Sequence, residues 1–284
     1  MNRIKKININ IIFTWLIVIY PILSVYSIGI NNLSIGDFLL IFVVAYLVLK
    51  QLMHSTIKIS RNLYIFWAFG SFFLILLIIQ PLYIEQYNFF SMVRYALYIF
   101  AIVLGEKYFD FEYALSIVVK LSVLISGYVI LQFIFLKGAS IVLPWHFSFL
   151  EIMDPSFDEF RNSPYYLVYY RPRGVFMEPT HYAQFCVVAL SFLSCKHKMN
   201  KKDYIYICII SLGILCSGSS LGLIEIGVLF CLFILKGHLH IIKKLFILIS
   251  GIIIFISVYQ IDYFRTIITR MQADDGSFTG AAVG

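Results

Sequence analysis

Residues 170–185, "YRPRGVFMEPTHYAQF", place Arg171, Arg173, Glu178 and His181 in a chain that is otherwise mostly apolar. A guanidinium group binds phosphate or carboxylate through two parallel hydrogen bonds and stays charged near lipid, which suits the two arginines to a diphosphate. A carboxylate or an imidazole within hydrogen-bond distance of a hydroxyl can remove its proton as a general base. The stretch therefore predicts an anion-binding site with an acid–base group beside it.

The local sequence also predicts how these groups are presented. Pro172 holds its neighbours extended, and Gly174 lets the backbone turn into a helix that we expect to begin near Val175. On that helix Glu178 and His181 would be three residues apart and would share one face. The two arginines would then stand at the mouth of a helix bundle.

A structural role explains the same charges. Arginines at a membrane boundary often extend to lipid phosphates, and Glu178 could pair with Arg173 to anchor the segment. The aromatic residues of the preceding segment, Trp145 and Tyr170 among them, suit either a sugar face or the membrane interface. The residues alone leave both interpretations open.

The composition excludes a soluble globular domain. Apolar residues make up 61% of the chain and charged residues 13%, and the mean hydropathy is +0.89. Residues 7–36, 62–84 and 245–261 contain no charged side chain, and each run is long enough to cross about 30 Å of hydrocarbon as a helix. We expect an all-α, polytopic transmembrane helix bundle forming a single integral membrane domain over residues 1–284.

Hydrophobicity and the positions of lysine and arginine predict nine crossings with a cytoplasmic N-terminus. The predicted crossings are 8–29, 35–50, 63–83, 88–105, 113–136, 175–195, 204–217, 220–236 and 245–261. A single helix over 204–236 would run about 50 Å, so we expect a hairpin tip at "CSGSS", residues 216–220. The segment 137–174 and the tail 262–284 are then external.

Several further charged residues are candidates for the same outer site. Arg94 lies a few residues into the fourth predicted helix from its outer end, and Arg265 and Arg270 lie in the external tail. Of these, Arg94 is the candidate for anion binding by its position alone. Glu225, about one turn from the "SGSS" tip, could line the same outer region or pair within the bundle.

The charge balance argues against a nucleic-acid partner, and the missing motifs argue against ATP-driven transport and against the common hydrolase sites. The net charge of +7 follows the predicted topology, so it does not indicate a nucleic-acid partner. The chain contains no P-loop, no H-E-x-x-H and no G-x-S-x-G motif, and its five cysteines form no C-x-x-C pair. We expect no metal and no cofactor.

The arrangement resembles the O-antigen polymerase and O-antigen ligase family of bacterial envelope polysaccharide assembly. The residues that carry the resemblance are "RPRGVFMEP" at the end of a long external segment, the helix turn "SGSSLGL", and "RMQADDGS" near the end of the chain. It covers roughly residues 90–284.

The resemblance implies glycosyl transfer without a metal on the outer face of the bacterial cytoplasmic (inner) membrane, from a polyprenyl-diphosphate-linked saccharide. Arg173 would bind the donor diphosphate with help from Arg171, and Arg265 or Arg270 would contribute from a second loop. From chemistry we add Glu178 as the general base toward the acceptor hydroxyl, with His181 as the alternative base. Membrane lipid, a chain-length regulator and a flippase are the implied partners.

Three functions fit these features. Polymerisation of O-antigen, capsule or exopolysaccharide repeat units is favoured over ligation to another acceptor because the external segments are modest in size. A transporter or flippase would need charges at midplane depth, whereas here they cluster at the outer rim. Family members usually continue for several more helices, so we expect this chain, which ends at "GSFTGAAVG", to be incomplete at its C-terminus.

Overall fold

A computed structural model describes residues 8–29, 33–53, 70–72, 75, 78–79, 89–154, 170–196 and 199–236. The described residues are helical or irregular, and they contain only isolated antiparallel pairings in place of strands. The all-α prediction is therefore confirmed over this part of the chain. The predicted crossing at 245–261 and the tail 262–284 lie outside the described residues.

Seven helices have defined bounds, and most lie close to a predicted crossing. They are α1 Ile9–Leu23, α2 Ile35–Met53, α3 Phe89–Tyr108, α4 Phe111–Ala139, α5 Pro179–Cys195, α6 Lys201–Ser217 and α7 Ser220–Lys236. The described residues of the predicted crossing at 63–83 are helical. Hydrophobicity thus located the helices well, because apolar side chains dominate all of them.

Among the described residues, one helix, α4, is long and apolar enough to cross a membrane. Two shorter apolar helices cover Ile9–Leu23 and Ser220–Leu232. One such helix is a hint of membrane association, and the nine predicted crossings are not confirmed.

The described residues divide into two compact units. Unit 1 contains residues up to Ile117 together with 146–154. Helices α1, α2 and α3 pack around side chains that include Phe13, Leu47 and Leu104.

The segment 146–154 is held to the end of α1 by backbone pairing in unit 1. The Ser27 amide donates to the Glu151 carbonyl at 2.8 Å, and the Met153 amide donates to the Val25 carbonyl at 2.9 Å. The Tyr26 ring, 2% exposed, stacks on Phe147 at 6.0 Å between centroids. A short antiparallel pairing thus closes over buried aromatic surface.

Unit 2 contains residues 118–145 and the described residues from Tyr170 onward. Helix α5 packs against both α6 and α7. A Cβ atom on Gly222 of α7 would lie 2.6 Å from Ile214 Cγ2 and 2.8 Å from Ala183 Cβ. Helix α7 therefore approaches α5 and α6 closely at Gly222, which has no side chain to keep them apart.

The break between α6 and α7 confirms the predicted hairpin tip. Helix α6 ends at Ser217, and Gly218 follows with φ +65°, the left-handed conformation in which helices commonly stop. Ser219 then accepts a hydrogen bond on its hydroxyl oxygen from the Gly222 amide at 3.1 Å, which caps the start of α7. Two local signals, a glycine and a serine cap, set this turn.

The start of α6 contains a titratable contact. Asn200 and Asp203 form a reciprocal capping box, and the Asp203 carboxylate also accepts a hydrogen bond from Lys196 Nζ at 2.7 Å. The hydrogen bond from Lys196 and the bond from the Asn200 amide lower the pKa of Asp203 below its usual value. The carboxylate therefore stabilises the fold fully above the unfolded pKa of about 3.9, and less as pH falls through the lowered folded value.

We expect Asp203→Asn to destabilise unit 2 by about 1 kcal/mol at pH 7, because it removes the charge from the capping box. The difference from the unsubstituted protein should shrink as the pH falls below about 3.9. Thermal unfolding in detergent between pH 7 and pH 2 measures this, with the exposed Lys201→Gln as control. An equal loss at both ends of the pH range would contradict it.

Candidate anion-binding site

The turn that carries both arginines is held to α4 by one buried glutamine. Gln132, 0% exposed, accepts hydrogen bonds on Oε1 from the backbone amides of Arg173 at 3.2 Å and Gly174 at 2.9 Å. Its Nε2 donates to the Gly174 carbonyl at 3.2 Å. Since buried amides need partners, this one side chain satisfies three backbone polar groups of the turn.

The same glutamine also contacts the segment that follows α4. Its Nε2 donates to the Pro144 carbonyl at 3.4 Å, and the Tyr128 hydroxyl donates to that carbonyl as well. The next residue, Trp145, is 6% exposed and lies beside the arginine turn. Gln132 therefore bonds to the backbone of both partners' segments, at Pro144 next to Trp145 and at Arg173 itself.

Arg173 is buried between aromatic rings. Its Cζ lies 5.2 Å from the Trp145 ring centroid and 5.3 Å from that of Tyr170. Its Nη1 donates to the Met177 carbonyl at 2.7 Å, and only 7% of the residue is exposed. The prediction that both guanidinium groups stand open at the mouth is therefore wrong for Arg173, because aromatic rings cover its charge through cation–π contacts.

Arg171 is half-buried and reaches a different part of unit 2. Its Nη1 donates to the Gly218 carbonyl at 3.4 Å, a long hydrogen bond. The contact joins "RPRG" to the turn between α6 and α7, so the two motifs lie at the same end of unit 2. The carboxyl-terminal part of α4, which carries Gln132, lies at this end as well.

The placement of Glu178 corrects a prediction. Helix α5 begins at Pro179 and not near Val175, and Glu178 is its N-cap with φ −133° and ψ 150°, so Glu178 precedes the first helical turn on which it was predicted to lie. The start is later than Val175 because Gly174 adopts φ +66° and because a residue before proline favours the extended conformation. Both side chains are exposed, outside the packed face of α5.

Arg94 forms an ion pair in unit 1. Its Nε and Nη2 both lie 2.9 Å from Oδ2 of Asp37, a carboxylate with no exposed surface. Asp37 also accepts hydrogen bonds from the amide and hydroxyl of Ser34 and from the hydroxyl of Tyr20. Arg94 therefore has a structural partner, and its part in substrate binding stays a prediction.

Two important residues were missed from sequence. Asp37 could have been found because Ser34 and Asp37 have the spacing of a helix capping box. Gln132 gave only the weak signal of a single amide inside an apolar run. The partners of both residues are distant in the sequence, and hydrophobicity does not report them.

The remaining candidates are less defined. Arg265 and Arg270 lie outside the described residues. Over the described ranges, no hydrogen-bond partner is found for the buried Oε2 of Glu225. Within those same ranges, no group of three histidine, cysteine, aspartate or glutamate residues could hold a metal ion.

Comparison with known proteins assigns no relative to this arrangement: no protein-family model matches the chain, and neither a curated protein nor a solved structure does.

Proposed function

We propose that this chain is a multi-pass bacterial inner-membrane glycosyltransferase that polymerises lipid-linked oligosaccharide repeat units. The donor is a saccharide linked to a polyprenyl diphosphate on the outer face of the membrane. The motif resemblance supports the family, and the geometry of the arginine turn supports an anionic ligand. That turn is the observation that carries the proposal.

Exposed apolar side chains support placement in lipid. Leu124 of α4 is 70% exposed, and Phe42 and Leu49 of α2 are 58% and 60% exposed. Extended apolar surface of this kind is unusual on a soluble monomer and suits contact with acyl chains. Helix α4, at 29 residues, would run about 43 Å, longer than the hydrocarbon core of about 30 Å.

The two arginines would act differently on a diphosphate. Arg171 is half-buried and would contact the phosphate oxygens directly, since a guanidinium forms paired hydrogen bonds with them. Arg173 is buried between the rings of Trp145 and Tyr170 and would add a fixed positive charge to the same turn. Because α4 holds the turn in place, little reorganisation would accompany binding.

The reaction that fits this site is displacement at the anomeric carbon of the donor sugar. The acceptor hydroxyl forms a new bond to that carbon, and the bond from the carbon to the diphosphate oxygen breaks. Glu178 or His181 removes the hydroxyl proton. The arginines stabilise the negative charge that develops on the departing lipid diphosphate, with Arg265 or Arg270 as the proposed second contact.

The proposal is tested by polymer length in the source strain lacking its own copy of the gene. We expect Arg171→Ala to abolish the ladder of polymer lengths and Arg171→Lys to retain a shortened one, because lysine keeps the charge but loses the paired geometry. Lys202→Ala, an exposed position at the other end of α6, is the control.

Each result has a clear meaning when membrane levels are matched. A full ladder in Arg171→Ala would remove this residue from the proposed function. Long lipid-linked polymer that is never attached to an acceptor would indicate a ligase instead. Accumulation of single repeat units on the cytoplasmic side would indicate a flippase.

A further inference from the structure

We infer that Gln132 is the positioning residue of the anion-binding turn, and that its hydrogen bonds fix where a polyprenyl diphosphate is held. The inference rests on the proposed function for the identity of the ligand. It adds a residue that lies in a predicted membrane crossing and carries no charge.

The first argument is the completeness of its hydrogen bonding. Gln132 has no exposed surface, and its amide makes two bonds as acceptor, to the amides of Arg173 and Gly174, and two as donor, to the carbonyls of Gly174 and Pro144. A hydrophobic side chain of similar size would fill the space but would remove the partner of the Arg173 amide and of both the amide and the carbonyl of Gly174, whereas the Pro144 carbonyl would keep its bond from Tyr128. The amide therefore specifies the position of the turn as well as filling a volume.

The second argument is the rigid connection to Arg171. Pro172 is buried and separates Arg171 from the held amide of Arg173. Since proline fixes φ near −65°, a backbone held at residue 173 limits the directions in which residue 171 can point. The backbone of Arg171 is thus positioned relative to α4 through Pro172.

Three substitutions separate hydrogen bonding from packing. Gln132→Leu removes all four hydrogen bonds. Gln132→Glu is nearly isosteric, keeps the acceptor oxygen and, in its neutral form, keeps one donor. Gln184→Leu makes the same chemical change at an exposed position of α5 and serves as the control.

Trp145 gives a readout of position that needs no ligand. The chain has three tryptophans, so replacing Trp15 and Trp67 with phenylalanine leaves Trp145 as the only tryptophan, which is excited selectively at wavelengths that tyrosine does not absorb. The guanidinium of Arg173 contacts the Trp145 ring, and Gln132 bonds to the amide of Arg173 and to the Pro144 carbonyl beside Trp145. We therefore expect Gln132→Leu to shift the Trp145 emission to longer wavelength. Gln132→Glu should give a smaller shift, and Gln184→Leu none.

Ligand binding is measured on the full chain in lipid nanodiscs, with farnesyl diphosphate as the lipid diphosphate and inorganic diphosphate as the free anion. We expect Gln132→Leu to raise the Kd for farnesyl diphosphate at least tenfold and Gln132→Glu to raise it less. Tighter binding of farnesyl than of inorganic diphosphate would identify a lipid headgroup as the source of the anion.

The outcomes distinguish the inference from the proposed function. An unchanged Kd for farnesyl diphosphate together with an unchanged Trp145 emission in Gln132→Leu would overturn the positioning role. A larger loss of farnesyl diphosphate affinity in Gln132→Glu than in Gln132→Leu would overturn it as well. No farnesyl diphosphate binding by the unsubstituted chain would overturn the proposed function and the ligand assignment, even if the emission shifts. If Gln132→Leu does not insert, Gln132→Glu decides alone, because it must still raise the Kd and shift the emission.

Discussion

Replacing Asp37 with asparagine is expected to lower the free energy of unfolding of unit 1 by about 3 kcal/mol, because it leaves the Arg94 guanidinium without its carboxylate. The carboxylate has no exposed surface, while 26% of the Arg94 side chain is exposed. Solvent can therefore reach part of the arginine after the change, which keeps the expected loss at the lower end of the range for buried pairs. Unfolding in detergent, followed by circular dichroism, measures it.

A double-mutant cycle identifies the source of this loss. Arg94→Gln alone should cost a similar amount, since it leaves the Asp37 carboxylate buried without a charge partner. The double variant should cost less than the sum of the two single variants by more than about 1 kcal/mol. Additive effects would mean that the ion pair contributes nothing and that the bonds from Ser34 and Tyr20 hold Asp37 in place.

Gly174→Ala should destabilise unit 2 by about 3 kcal/mol, the sum of two independent costs. Gly174 has φ +66°, a conformation that alanine adopts only with strain. The added Cβ would also lie 2.6 Å from Ile125 Cγ2 and 3.2 Å from Val129 Cγ2, so these side chains or α4 itself would have to move. The midpoint of thermal unfolding measures the effect.

Two further variants test this explanation. Gly127 lies on α4, and a Cβ added there meets no atom within 4 Å. Gly127→Ala should therefore leave stability unchanged or raise it by up to about 1 kcal/mol. In an Ile125→Ala background, whose own loss is measured separately, adding Gly174→Ala should cost less than it does in the unsubstituted protein, because the contact with Ile125 is gone and the part due to φ remains. If Gly174→Ala is as stable as Gly127→Ala, the turn is not constrained in the way the structure indicates.

The sequence predicted the helices and the α6–α7 break because those depend on local information. Apolar runs and a glycine beside serines act within a few residues, and the break at Gly218 was predicted from them. The start of α5 was predicted too early because Gly174 and Pro179 together delay the helix. Those are also local signals, but hydrophobicity does not register them.

The site could be predicted by residue type but not by arrangement. Arg171 and Arg173 were identified from charge alone, yet their environments differ because Arg173 is buried against Trp145 and Tyr170 while Arg171 is only half-buried. From the sequence these rings suited either a sugar face or the membrane interface, since nothing local indicates which cation a ring will contact. The glutamine that holds the turn, Gln132, lies 41 residues before Arg173.

The pairing of the end of α1 with the segment 146–154 has a consequence for biosynthesis. The Phe147 amide donates to the Tyr26 hydroxyl across 121 residues of sequence. During translation at about 5–20 residues per second, the amino-terminal helix would wait on the order of ten seconds for this partner to leave the ribosome. In that interval the Tyr26 ring lacks the native cover that Phe147 provides, so the nascent chain would depend on insertion machinery or on lipid to shield that face of the ring.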